Sequence, residues 1–179
     1  MSVNARVLGL AETWIGTPYR HQGAMKGVGC DCLGLVRGIW RELYGEEPEA
    51  VPAYAPDWAE RSGEERLLAA AGRHFFAVAS FEESLAGDLV LFRFRPGMAA
   101  KHAGILARLA DMGGDMPRGG DGGRIEGRRD PKVSACDTAD HAPDAFIHAY
   151  EQSAVTRSAL VPGWRRKIAG IYRFPERGL

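Results

Sequence analysis

The sequence predicts an α+β fold in which helices pack on an antiparallel β-sheet, and three observations predict it. Apolar residues recur at helical spacing as far as about residue 73, strand-like apolar runs begin at residue 89, and 179 residues suffice for one sizeable core but not two. A single domain over residues 1–179 is therefore expected.

Val3, Val7, Leu10 and Trp14 follow Ser2 at helical spacing, and Gly16-Thr17-Pro18 stops the pattern, which places a first helix at residues 3–15. After a glycine-rich loop, Leu35, Val36, Ile39, Trp40 and Leu43 make a broad apolar face over residues 32–44, with Asp31 as cap and Gly45 as stop. Gly34 and Gly38 lie one turn apart in it. Each costs roughly 1 kcal/mol against alanine, so this helix needs close packing on another element. A third helix is expected over residues 57–73, burying Trp58, Leu67, Leu68 and Ala71.

The period then changes. Residues 89–94, 102–106, 145–150 and 168–174 read as strands, and 154–160 as a weaker one. Residues 109–144, with seven glycines among 111–127, are too polar for a core and read as an inserted surface loop.

Lys+Arg and Asp+Glu number 23 each, so the net charge is zero and a general nucleic-acid-binding role is disfavoured. Hydrophobic residues at 45% and charged ones at 26% exclude wholesale disorder. No apolar run approaches the roughly 18 residues of a membrane span and the N-terminus lacks a secretory signal, so synthesis as a soluble cytoplasmic protein is expected.

Three cysteines, Cys30, Cys32 and Cys136, are too few for a disulfide framework. Cys32 falls in the first turn of the second helix, where unpaired N–H groups and the helix dipole favour a thiolate. A nucleophile, a plain buried thiol and a metal ligand paired with Cys30 all remain open. His102 heads one strand and His148 lies inside the next. If those strands pair, His102 can act as base and His148 can fix its tautomer; otherwise His148 is a satisfied core residue. His21, His74 and His141 read as solvated.

Five segments in order carry a resemblance: Thr17-Pro18-Tyr19, Gly29-Cys30-Asp31-Cys32-Leu33-Gly34-Leu35-Val36, Ala86-Gly87-Asp88-Leu89-Val90, His102-Ala103-Gly104-Ile105 and Phe146-Ile147-His148-Ala149. Together they resemble the NlpC-type papain-like cell-wall peptidases, and residues 164–175 are similar to the closing strand of the phage-tail branch, including the peptidases of gene transfer agents. The resemblance implies a papain-like fold with Cys32 as nucleophile, His102 as general base and His148 as its orienting group. It implies Tyr19 near the nucleophile as an oxyanion contact. Asp31 we assign to capping, with a contact to a substrate amine as an added role. It further implies hydrolysis of peptidoglycan stem peptides, typically between D-glutamate and diaminopimelate or lysine, with no cofactor or metal. Tail-hub or tail-tip proteins would be the partners, delivering the enzyme to the wall of a target cell.

Three features depart from the family pattern. Leu33 follows the cysteine where a small polar residue is usual, Arg20-His21-Gln22 stands in place of a glycine pair, and 45 residues separate His102 from His148. The competing readings are a structural tail protein with little or no hydrolysis, acyl transfer or amidase chemistry from the same site, and zinc binding through Cys30 and Cys32.

Overall fold

The computed structural model describes residues 1–55, 63–109 and 142–176. Helix α1 (Val3–Thr13) begins where the Ser2 hydroxyl accepts the Ala5 N–H at 3.3 Å, and it buries Val3, Val7 and Ala11. A short hairpin, β1 (Ala24–Met25) with β2 (Gly29–Cys30), leads into α2 (Cys32–Tyr44). The cap is the expected one: Asp31 Oδ1 accepts the Gly34 N–H at 2.8 Å, and Gly45 ends the helix at φ +87°.

Close packing explains the two helical glycines. A Cβ at Gly34 would stand 1.7 Å from the Gly23 carbonyl oxygen, and one at Gly38 would stand 2.1 Å from the Trp14 ring. Hairpin and α1 thus meet the backbone of α2, and the intrinsic cost of glycine is offset by that approach.

Helix α3 (Arg66–His74) is shorter than expected. Residues 63–65 are not helical, with Gly63 at φ +63°, so the helix starts at Arg66; Trp58 and the rest of the expected first turns lie outside the described residues. Leu67 and Leu68 are half-buried and Ala71 is buried.

Among the described residues the sheet has six antiparallel strands: β3 (Phe76–Ala77), β4 (Leu89–Phe92), β5 (His102–Ala107), β6 (Ala145–Ala149), β7 (Val155–Ala159) and β8 (Ile168–Arg173). Their order is β3-β8-β4-β5-β6-β7. Four strands run as a meander, and the last returns to pair with β4 and β3. A turn of helix α4 (Pro162–Arg165) joins β7 to β8. The α1–α2 layer covers one face through Leu89, Leu91, Ala103, Ile105, Ile147 and Ala149. The other face gathers Val90, Phe92, Leu106, Phe146 and Ile171 under Trp164. With both faces covered, β4 is buried throughout, which is why its sequence is a continuous apolar run.

Asp88 ties the layers together. Its wholly buried carboxylate accepts from Asn4 Nδ2 at 2.7 Å, the Leu85 N–H at 2.8 Å, and Arg173 through Nε at 2.9 Å and Nη2 at 2.8 Å. Helix α1, the turn before β4 and strand β8 therefore share one anion.

Of the expected inserted loop at 109–144, residues 110–141, including Cys136 and His141, lie outside the described residues. Its ends adjoin: the Leu109 N–H donates to Asp144 Oδ1 at 2.7 Å.

Candidate active site

A cleft of about 490 Å³ opens where the first turn of α2 meets the ends of β4, β5 and β6, and all five residues singled out from the sequence line it: Tyr19, Asp31, Cys32, His102 and His148. The pairing of β5 with β6 sets Ile105 opposite Ile147. Side chains alternate along a strand, so His102 and His148 project to the face opposite α2. There His102 Nε2 lies 2.8 Å from His148 Nδ1, with the rings perpendicular. The far nitrogen of His148, Nε2, lies 3.0 Å from Ser158 Oγ on β7.

These distances are compatible with a proton order that suits a base. With Nε2–H of His102 donating to Nδ1 of His148, and Nε2–H of His148 donating to Ser158, His102 keeps an unprotonated Nδ1 to accept a proton. Trp164 closes the back of the pair, its ring centroid 5.9 Å from His102 and 5.8 Å from His148.

Burial in this aromatic surround, together with the neighbouring His148 and the Lys101 charge, holds His102 well below the usual imidazole range. Burial holds His148 down as well. Cys32 moves the other way. Desolvation, reinforced by the Asp31 charge, pushes its thiol up to about 12 despite the backbone N–H groups of Ala103, Leu33 and Cys32 that pull it down. The helix N-terminus was expected to hold a thiolate, but here the loss of solvation outweighs it. Both shifts favour the uncharged forms, a thiol and two imidazoles, and Cys32 Sγ lies 3.8 Å from the Lys101 carbonyl oxygen as a donor.

Tyr19 is placed by its backbone. Its N–H donates to the Ser153 carbonyl at 2.9 Å, and the residue bridges to Cys30, the last residue before Asp31. Burial, then the Asp31 charge, pushes its hydroxyl up to about 12, so it remains a donor at all ordinary pH. Asp31 bonds inside the protein with both oxygens: Oδ1 caps α2, and Oδ2 accepts from the Gln22 N–H at 2.7 Å and from the Tyr54 hydroxyl.

Two histidines differ from their sequence reading as solvated. His21 lines the cleft, with Nε2 2.9 Å from the Tyr54 carbonyl and Nδ1 3.7 Å from Asp31. His74 packs edge-on against Trp40, and its Nε2 lies 3.1 Å from Glu49. In both cases a distant loop, residues 46–55, supplies the partner, and local sequence carries no sign of that. Tyr54, Phe94, Trp164 and Lys167 also line the cleft and were not singled out beforehand. An aromatic flanked by loop residues is a weak signal without the fold to place it. Cys30 is buried in the core, and among the described residues no three His, Cys, Asp or Glu side chains gather as a metal site.

The NlpC/P60 family profile matches residues 16–173. No curated protein matches the chain. Among solved structures, it is similar to the NlpC/p60 domain of the peptidoglycan hydrolase SagA, at 18% identity and TM-score 0.50 over 96% of this chain and 98% of that one. It is also similar to a protein of the NLP/P60 family described as similar to a lipoprotein, from Staphylococcus aureus subsp. aureus Mu50 (18% identity, TM-score 0.52, 98% of this chain and 42% of that one). A third is an NlpC/P60 family protein of Bacillus cereus ATCC 10987 (18% identity, TM-score 0.53, 96% and 40%). The chain thus spans less than half the length of the latter two. At these identities the likeness is one of fold, and it is the α+β, papain-like fold.

Proposed function

The chain belongs to the NlpC/P60 family, and from that premise we propose that it is a cysteine peptidase hydrolysing peptidoglycan stem peptides. The observation that carries this reading is the 2.8 Å His102–His148 bond in a cleft that also holds Cys32 at a helix N-terminus. A buried histidine pair with no further purpose would have no reason to open onto a thiol.

Because thiol and imidazole rest neutral, Cys32 loses its proton to His102 Nδ1 as Sγ attacks the amide carbonyl, so charge separates only once substrate has displaced water. The Cys32 backbone N–H and the Tyr19 hydroxyl then hold the oxyanion. Imidazolium His102 gives its proton to the leaving nitrogen, and the thioester that remains is hydrolysed by water activated at the same nitrogen. His148 keeps His102 in the right tautomer by accepting its Nε2–H, a task it performs only while neutral. Asp31 holds α2 and Tyr54 in place and presents negative charge to a substrate amine.

The finer reading places the scissile bond between D-glutamate and diaminopimelate and the protein in the tail tip of a phage-like particle, where it would meet the wall of a target cell. Support for the tail role is the likeness of residues 164–175 to that branch.

The test is mass spectrometry of Gram-negative peptidoglycan incubated with wild type and, in parallel, Cys32→Ala. Stem-peptide fragments should appear with wild type only, and their masses name the bond; the rate with Cys32→Ala should be lower by about a thousandfold or more, with the melting temperature unchanged. Fragments from both proteins would end the nucleophile assignment. The same variant built into particles tests the tail role.

A further inference from the structure

Two proton orders fit a chain of two neutral imidazoles that ends at a hydroxyl. In one, each Nε2–H points away from the cleft, from His102 to His148 Nδ1 and from His148 to Ser158, and His102 Nδ1 is bare. In the other, the Ser158 hydroxyl donates to a bare His148 Nε2, His148 Nδ1–H donates to His102 Nε2, and His102 carries its proton on the nitrogen needed as base. Both satisfy the 2.8 and 3.0 Å contacts, so the distances alone do not choose between them. The choice falls to the last group in the chain.

The sheet register puts Ser158 in that place. Strand β6 pairs with β7 so that His148 stands opposite Thr156 and Phe146 opposite Ser158. Cross-strand partners, and every second residue along a strand, share a face, so Thr156 and Ser158 both lie on the face of His148. His148 Nε2 reaches diagonally past the nearer partner to Ser158. Its ring is 1% exposed and flanked by Phe146, Tyr150 and Trp164, with centroids 4.4, 5.8 and 5.8 Å away, so this buried nitrogen depends on that hydroxyl. Ser158 itself is half-buried on β7, the edge strand, where its own proton can turn to solvent. A hydroxyl whose proton points outward presents lone pairs inward, and those lone pairs call for an N–H. The edge position therefore favours the first order.

We propose that Ser158 is a positioning residue for the hydrolysis: by accepting His148 Nε2–H it holds His148 in the tautomer whose Nδ1 accepts from His102, and so keeps His102 Nδ1 bare for the Cys32 proton. This rests on the hydrolase reading above. Ser158 touches no reacting atom and acts only through His148.

The experiment joins nitrogen NMR spectra of the imidazoles to kinetics on a diaminopimelate-bearing stem peptide. In wild type at neutral pH both histidines should carry their proton on Nε2. Ser158→Ala should give His148 as a mixture of tautomers and lower kcat about tenfold with KM little changed, the loss expected when an outer partner that orients a histidine is removed. Ser158→Thr keeps the hydroxyl and should restore both readouts. Ser158→Asp only accepts, and its charge favours imidazolium, so the acidic limb of the kcat profile should move up by about one pH unit. Added to His148→Ala, the Ser158→Ala change should alter kcat by less than about twofold, because a residue acting through His148 has nothing left to act on. A His148 proton on Nδ1 in wild type, a wild-type kcat in Ser158→Ala, or a full loss that persists in the His148→Ala background overturns the role and leaves the hydrolase standing. Should Ser158→Ala fail to fold, an unmoved limb in Ser158→Asp overturns it instead. No cleavage by wild type overturns the hydrolase reading and the role of Ser158 with it.

Discussion

Asp88, in the turn before β4, and His148, on β6, are both buried polar side chains, at 0% and 1% exposure, yet they are put to opposite uses. Asp88 accepts four bonds, from Asn4, Leu85 and Arg173, and every donor is fixed by an element it helps to hold. Its charge has nowhere to go. His148 makes two bonds, to His102 and Ser158, and each can be turned round by moving a proton. One end of that chain reaches a cleft. Depth of burial therefore does not separate a structural polar group from a working one; what separates them is whether a proton can be relocated along the bonds and delivered to solvent or substrate.

The largest effect that tests the contrast falls on stability. Asp88→Ala leaves the Arg173 guanidinium and the Asn4 amide facing a hole, and should cost about 3–5 kcal/mol. The measurement is the urea midpoint, which should drop steeply, while the kcat of the fraction that remains folded should match wild type. A loss of kcat in folded protein would mean that Asp88 belongs to the site after all.

His148→Ala should do the reverse. Truncation leaves His102 free to turn and to take the wrong tautomer, so kcat should fall by roughly 10- to 100-fold with KM little changed. His148→Gln should restore part of the rate, because an amide oxygen can still accept from His102 Nε2–H. Equal rates for the alanine and glutamine variants would reduce His148 to packing.

Much of this contrast was invisible in the sequence, and for different reasons at its two poles. The helices were legible because period and caps are local: Ser2, Asp31 and Gly45 act within four residues of themselves. The histidine pair was legible conditionally, since it needed only that neighbouring strands β5 and β6 pair. Nothing local marked Asp88 as a buried anchor, because Asn4 and Arg173 lie 84 and 85 positions away. Tyr54 went unread and His21 was read as solvated for the same reason: each gains its meaning from Asp31 or from the other, across loops with no period. Strand β8, expected from its apolar run, gave no hint that it would lie between β3 and β4, because an edge-to-edge return leaves no mark on alternation.

The smallest effect concerns pH, and it isolates the histidine pair from the carboxylate. In the unfolded chain both imidazoles take up protons as pH falls through about 6.5, whereas in the folded chain burial keeps both neutral well below that value. The unfolded state then binds more protons. Stability contributed by the neutral pair is complete above pH 6.5 and is lost as pH falls from there toward the folded-state values. Between pH 7 and pH 6 the loss should be roughly 1 kcal/mol, shared about equally, because the folded protein keeps both imidazoles neutral over that interval. Urea midpoints measured across that interval for wild type and His148→Gln decide the matter. Glutamine cannot titrate, so the variant should keep about half of the slope that the pair gives the wild type; an unchanged slope would mean that His148 is protonated in the folded protein, and a protonated His148 cannot accept the bond that orients His102.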